Sequence, residues 1–292
     1  MESIPRKVFL GFNYTFFILI SLLCLFPLIH VLAVSFSSSD AVTAGLVKFW
    51  PVEFTTRSYE YMLNKPEFFQ SMVITVQRVI LGTVFGLLLC LTIAYPLSKE
   101  VKAFRLRTYY AWFFVFTILF NGGLIPGYMV VRNLGLLDSI WALILPSAVN
   151  VFNILLMLNF FRALPKELEE SAFIDGAGHW TALWRIYLPL SLPSFATITL
   201  FTIVYHWNSW FDGLIFMNKP ENYPLSTYLQ NIIMSGNLIN ITSSQSLEQL
   251  KDISDRTAKA AQIFIGTLPI LIVYPFLQRF FIHGIVLGSV KE

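Results

Sequence analysis

The side chains able to do chemistry fall into two clusters, each surrounded by apolar sequence. The first is Tyr205, His206, Trp207, Asn208, Trp210 and Asp212. Sugars present hydroxyls that pair with Asn and Asp, and apolar C–H faces that stack on Trp and Tyr. This mixture therefore suits a carbohydrate, although Trp and Tyr also anchor membrane helices at the interface. Tyr205, Asn208, Trp210 and Asp212 are the candidate lining of a substrate path. The second cluster is Glu170-Ser171-Ala172-Phe173-Ile174-Asp175-Gly176-Ala177, followed by Ile186-Tyr187-Leu188-Pro189. It is a short charged helix with a corner, and its chemistry is recognition rather than catalysis. The sequence has no Ser/His/Asp or paired-carboxylate constellation and no Gly-x-x-x-x-Gly-Lys-Ser/Thr phosphate loop. Its four histidines lack metal-ligand spacing.

The elements that position these clusters follow from composition. Of 292 residues, 56% are hydrophobic and 13% charged, about half the charge of a soluble domain. The 28 phenylalanines suit helices packed against lipid. A net charge of +3 gives no reason to expect nucleic acid. Cys24 and Cys90 both lie in apolar runs and read as small core residues rather than a disulfide. A hydrocarbon core takes roughly 20 apolar residues per helix, and about six stretches qualify: 8–36, 72–95, 109–131, 139–161, 192–217 and 261–282. The fold class expected is all-α, a polytopic membrane protein. The first stretch follows Arg6 and Lys7, yet it is longer than a signal-peptide core of about 7–15 residues, so it reads as a retained helix.

Lys and Arg placement sets the orientation. Arg6 and Lys7, then Lys99, Lys102, Arg105 and Arg107, then Arg162, Lys166 and Arg185 fall on one side. That side reads as cytoplasmic and holds both termini. The external segments are 37–71, a short link at 133–138, and 218–259. The last mixes amides with Tyr223 and Tyr228, which suits sugar or protein contact and equally a solvated loop. Pro27, Pro146, Pro269, Pro275 and the run Asn121-Gly122-Gly123-Leu124-Ile125-Pro126 interrupt spans, either as kinks or as true breaks. Arg78 in the second span either faces protein or water or snorkels to the surface.

Between the fourth and fifth spans the chain can be read residue by residue. Pro165 suits a helix start, and Glu167, Glu169 and Glu170 complement the helix dipole. Leu168 and Ala172, with Phe173 or Ile174, give an apolar face at helical spacing. Gly176 permits a sharp corner. A second short helix, 181–187, follows and ends at Pro189. The pattern resembles the EAA loop of ABC importer permeases, which is Glu-Ala-Ala, three residues, Gly, nine residues, then Ile-x-Leu-Pro. Glu170, Ser171, Ala172, Gly176, Ile186, Leu188 and Pro189 match it, with Ser171 in place of the usual Ala. The likeness extends from the second span to the end of the chain. It is narrower still to the MalG-like carbohydrate subgroup, and within that to the LplC-like set for complex glycan fragments. Trp207-Asn208-Ser209-Trp210-Phe211, Tyr223-Pro224-Leu225 and the Gly-rich end Gly288-Ser289-Val290-Lys291 carry it, although Glu292 departs from the usual Gly.

The resemblance implies a type I ABC importer transmembrane fold with a cytoplasmic coupling-helix elbow. It divides the chain into a first helix and external loop (1–70), a transmembrane domain (71–283) and a cytoplasmic tail (284–292). Glu170, Ser171, Ala172, Asp175, Gly176, Ala177, Leu188 and Pro189 would couple to an ATPase. Gly288, Ser289, Val290 and Lys291 would enter the ATPase interface, unless the tail is simply a frayed terminus. The implied partners are a homologous second permease, two cytosolic ATPase subunits that bind ATP and Mg, an external sugar-binding protein, an oligosaccharide and membrane lipid. No cofactor or metal is expected in this chain, and no enzymatic activity. The location implied is a bacterial cell membrane. A secondary ion-coupled transporter, a membrane-embedded enzyme, or an ABC permease for a non-sugar solute are the competing readings.

Overall fold

The computed structural model describes residues 4–235 and 255–289. Among these there are helices and turns but no strand. By length and composition three helices can cross a membrane: Phe9–Ser35, Pro66–Ser98 and Arg256–Phe276. Three bent helix pairs raise the number of candidate spans to six. The chain divides into two compact units, one of Met1–Phe69 with Leu229–Pro269, the other of Gln70–Tyr228 with Ile270–Glu292. The first unit thus includes a late segment that the sequence reading placed with the main transmembrane domain.

In the first unit, helix α1 (Ile4–Ser35) is followed by the short helices α2 (Ser39–Thr43) and α3 (Arg57–Leu63). Phe12, Phe16, Leu19, Leu23 and Cys24 are exposed along α1, as lipid-facing residues would be. Cys24 is therefore not the core residue expected. The end of α1 is tied into the following loop by Ser37, whose Oγ donates to the Ala33 carbonyl at 2.6 Å and accepts from the Val52 N–H at 3.1 Å. Ala33, Val34, Ala41, Val42 and Val47 close over Ala260 in a small core.

The second unit holds both clusters. Helix α4 (Pro66–Ser98) presents Leu87, Cys90, Leu91, Ala94, Tyr95 and Leu97 to the core, at the three-to-four spacing of one helix face. Its other face exposes Ile80, Leu81, Val84 and Leu88. Helix α5 (Arg107–Leu119) stops short, and α6 (Leu124–Asn133) leaves at 115° to it. Gly123 makes the break with φ at 91°, while its N–H bonds the Asn121 side chain at 2.8 Å. The third span is therefore broken rather than kinked.

In the fourth span, Pro146 sits in a 3-10 turn between α7 (Ile140–Ile144) and α8 (Val151–Ala163), and the two halves bend by 49°. Asn150 caps α8 by accepting from the Asn153 N–H at 3.1 Å. After the elbow comes α12 (Leu192–Asn208), then a break at Ser209 and Trp210, then α13 (Phe211–Phe216). The expected continuous span 192–217 is thus wrong. Uniform hydropathy conceals the turn, which the polar Asn208-Ser209 step makes possible.

The segment 218–259 is not all loop. A 3-10 turn, Pro220–Asn222, leads into α14 (Leu225–Ser235). The last helix, α15 (Asp255–Ser289), runs through Gly284 and Gly288. Residues 284–289 therefore continue a helix instead of forming the glycine-interrupted tail expected. The same helix runs through Gly266, Pro269 and Pro275, so one continuous element carries three glycines, at about 1 kcal/mol each relative to Ala, and two prolines that each remove a helical N–H. Val290 and Lys291 lie outside the described residues, as does the stretch 236–254 of the external segment.

Candidate functional site

The elbow begins with α9 (Glu167–Ile174), whose first turn carries Glu167, Glu169 and Glu170. It ends in a Schellman closure, with the Ala177 N–H on the Ala172 carbonyl at 2.9 Å and the Gly176 N–H on the Phe173 carbonyl at 3.1 Å. Gly176 has φ at 84°, and a Cβ there would meet nothing within 4 Å. The corner thus needs glycine for its left-handed backbone, not for space. The chain then forms α10 (His179–Ala182), a π-helical turn (Leu183–Tyr187) and α11 (Leu188–Leu190). The second arm therefore runs past Pro189 and stops at Ser191. Pro189 stands inside this continuous run, with Tyr187 and Leu188 both helical, so its missing N–H leaves a carbonyl one turn back without that donor. The arm meets α12 at 85°.

Within the motif, Ala172 is buried and Ala177 and Leu188 are half-buried, whereas Glu170, Ser171, Asp175, Gly176 and Pro189 are exposed. Ile174 and Trp180 are 85% and 65% exposed on either side of the corner. Two bulky apolar residues held outward on a rigid corner make a protrusion that another protein can cover.

What holds this protrusion is a cluster centred on Glu169. Its Oε1 accepts from Lys99 Nζ at 2.5 Å and from the Tyr95 hydroxyl at 3.3 Å, while Oε2 accepts from the Tyr187 hydroxyl at 2.6 Å. The Lys99 ammonium also lies 3.7 Å from the Tyr95 ring centre and 4.0 Å from that of Tyr187. The two rings meet edge to face at 5.1 Å, and Phe161 of α8 packs on Tyr187 at 5.3 Å. Burial pushes the Glu169 carboxyl up, but its bonds from Lys99, Tyr187 and Tyr95 outweigh that and hold it below the ordinary carboxylate range. One carboxylate thus joins α9, the end of α4 and the π turn. The sequence reading used Glu169 only as a dipole partner. Its adjacency to Glu170 hid the difference between a pinned residue and an exposed one.

The cluster from Tyr205 to Asp212 is divided by the structure. Arg78 is completely buried, so it does not snorkel. Its guanidinium pairs with both carboxylate oxygens of Asp212 and donates to the Ser209 carbonyl at 3.1 Å. Asp212 Oδ1 also accepts from Ser209 Oγ and from the Gly213 N–H, each at 2.9 Å. Asp212 is therefore a structural partner that fastens the α12–α13 break to α4, not a free path residue. Asn208 is exposed at the last residue of α12, and Trp210 stacks edge-on against Phe211.

Tyr205 alone of the four path candidates borders a cavity of about 230 Å³, where it meets Ser147, Asn150, Asn153, Thr202 and His206. Asn153 Nδ2 reaches Thr202 Oγ1 at 3.4 Å. His206 is 2% exposed and packs against Gly82, where a Cβ would stand 2.4 Å from its Nε2. Asn150 and Asn153 escaped the sequence reading, although two amides three residues apart inside an apolar stretch were the available signal. Also unforeseen is the clasp at Asp138. Its carboxylate accepts from the backbone N–H groups of Asn218 at 2.6 Å and Lys219 at 3.2 Å, and from the Asn218 side chain at 3.0 Å. The Asn218 N–H foremost holds that carboxyl below its usual range.

Comparison with known proteins agrees with this arrangement. The chain is 38% identical over 283 residues to the polygalacturonan/rhamnogalacturonan transport system permease protein YtcP of Bacillus subtilis (strain 168), covering 95% of this chain and 96% of that one. It is 39% identical over 286 residues to protein LplC of the same organism, covering 98% and 95%. A chain of a solved bacterial ABC transporter involved in the import of the acidic polysaccharide alginate superposes with a TM-score of 0.88 at 33% identity, covering 96% and 99%. The model of the binding-protein-dependent transport system inner membrane component family matches residues 3–286. An elbow with outward apolar residues, broken spans and near full-length relatives therefore lead to one conclusion: the chain belongs to the binding-protein-dependent transport system inner membrane component family, as an ABC importer permease.

Proposed function

We propose that this permease carries oligosaccharides or polysaccharide fragments across a bacterial cell membrane by alternating access, driven by ATP hydrolysis on partner chains. The observation that carries the reading is the elbow, with Ile174 and Trp180 outward and Glu169 bolting it to the end of a membrane-crossing helix. A push on such a corner moves α4 and the π turn together, because all three elements share one carboxylate. Two cytosolic ATPase subunits, binding ATP and Mg, would supply that push at Glu170, Ser171, Ala172, Asp175, Gly176 and Ala177. A homologous second permease would complete the path, and an external binding protein would deliver the sugar. Both termini and the elbow would face the cytoplasm, in keeping with the Lys and Arg distribution. The carbohydrate class is supported by the names of the relatives and by a cavity in which Asn150, Asn153, Thr202 and Tyr205 stand among apolar walls such as Phe152 and Phe201.

The test is to co-express the chain with a candidate sister permease and ATPase and to reconstitute the complex in vesicles. ATP hydrolysis should rise when binding protein loaded with an acidic oligosaccharide is added. A complex that forms but ignores every loaded sugar-binding protein would overturn the carbohydrate reading.

A further inference from the structure

Beside the elbow lies a cavity of about 590 Å³ in which Lys99, Lys102, Arg107, Arg162 and Lys166 face Glu100, Glu169 and Glu170. Lys99 is neutralised by Glu169 and Lys166 by Glu100. Lys102, Arg107 and Arg162 then remain against Glu170. Arg107 Nη1 donates to the Lys99 carbonyl at 3.1 Å, and Arg162 Nη2 to the Leu97 carbonyl at 3.1 Å. Both guanidiniums thus cap carbonyls at the end of α4, and they repel each other. Among the described residues no carboxylate forms an ion pair with either. Arg107 Nε is buried and has no hydrogen-bond partner. Two adjacent cations with spare donors call for an anion with several oxygens, which guanidiniums bind in a forked geometry.

A second cavity, about 370 Å³, shares Lys99, Ala103 and His179 with the first. Its other walls are Thr92, Tyr95, Pro96, Phe104, Trp180 and Leu183, so it is mostly apolar and runs back along the membrane-crossing helix α4. The charged chamber lies at the end of the membrane-crossing helix α4, and the apolar groove runs back along that helix as far as Thr92.

We propose that these joined cavities hold an anionic phospholipid, its phosphate against Arg107, Arg162 and Lys102 and an acyl chain along Phe104, Pro96 and Thr92. Basic pockets at the membrane surface select anionic headgroups for this reason. A protein carboxylate or a free phosphate would satisfy the chamber but leave the groove empty. Because Lys99, Tyr95 and His179 border the groove, an occupied site would brace the elbow at its root. The inference requires only that the chain spans a membrane.

The test uses the full chain purified in an uncharged detergent. Native mass spectrometry reads which lipids survive delipidation, and scanning fluorimetry reads stabilisation by phosphatidylglycerol against phosphatidylcholine. Phosphatidylglycerol should be retained several-fold above its share of the membrane and should raise the melting temperature, whereas phosphatidylcholine should not. Arg107→Gln with Arg162→Gln should abolish the preference. If that pair fails to fold, Lys102→Gln at an exposed position and Phe104→Ala at a half-buried one should each lower retention. No preference in the wild type, or an unchanged preference in these variants, overturns the proposal. So does an equal stabilisation by free glycerol phosphate, which marks a phosphate site without a lipid. Loss of a co-purifying protein chain with lipid retention intact marks a protein contact and likewise overturns it.

Discussion

Replacing Asp212 with Asn isolates the cost of leaving Arg78 alone in the membrane. The amide is nearly the same shape, and its Oδ1 can keep the 2.9 Å bonds from Ser209 and Gly213. What disappears is the charge facing a guanidinium that is 0% exposed. Breaking a buried pair from one side costs about 3–5 kcal/mol. The lower end applies here, since Asp212 is 20% exposed and Arg78 keeps its bond to the Ser209 carbonyl. About 3 kcal/mol is a fall of roughly 100-fold in the folded-to-unfolded ratio. It corresponds to a melting-temperature drop of roughly 6–12 °C for a chain of this size. Adding Arg78→Met to Asp212→Asn removes the stranded charge, so the double variant should recover most of that drop. Tryptophan fluorimetry in detergent reads all three proteins. An Asp212→Asn chain that melts with the wild type, or a double variant less stable than Asp212→Asn, would refute the idea that this pair fastens the α12–α13 break.

Other expectations are briefer. Gly176→Ala should cost about 1–2 kcal/mol through its left-handed backbone and depress uptake, while Gly176→Asn should be milder; equal effects would point to crowding instead. Glu169→Gln should uncouple ATP hydrolysis from uptake without dissociating the complex, checked by the ratio of the two rates. Since the folded Glu169 carboxyl lies below its ordinary value, its contribution is complete above the unfolded pKa. That contribution is lost only as pH falls through the folded one. Coupling should therefore stay flat from neutral pH down to the carboxylate range, and a midpoint near pH 7 would contradict the assignment. Gly82→Ala should force the His206 ring aside, at about 1–3 kcal/mol, as a lowered melting temperature.

The parts of this molecule legible in sequence are those whose signals are local. Gly176 and Ile186 stand in a fixed frame along the chain, and Gly123 announces its break within a few residues. The Arg78–Asp212 pair joins positions 134 apart, and no periodicity connects them. Lys99 and Glu169 are 70 apart, so the residue that pins the elbow read as one acid among three. Hydropathy merged α12 and α13 because it averages side chains and is blind to backbone direction. It also left α14 unrecognised, because its Ser226, Thr227 and Asn231 resemble loop composition. Ser226 Oγ in fact donates to the Trp207 carbonyl at 2.5 Å, and Thr227 Oγ1 to that of Trp210 at 2.7 Å. These hydroxyls serve the broken span, a role that depends on tertiary contact.

The π turn at Leu183–Tyr187 has a consequence for the chain's tolerance of insertion and deletion. A π turn holds one residue more than the α-helical turn it replaces. Five residues of π turn rotate the chain about as far as four of α-helix, so the surplus residue is absorbed without turning the flanking arm. Deleting one residue there should close the turn to ordinary helix and leave Ala182 and Leu188 facing as before, whereas a deletion in α10 would turn the arm up to its break at Ser191 by about 100°. The turn is thus the place in the elbow where a one-residue change of length leaves the outward corner in phase, provided Tyr187 itself is kept for Glu169.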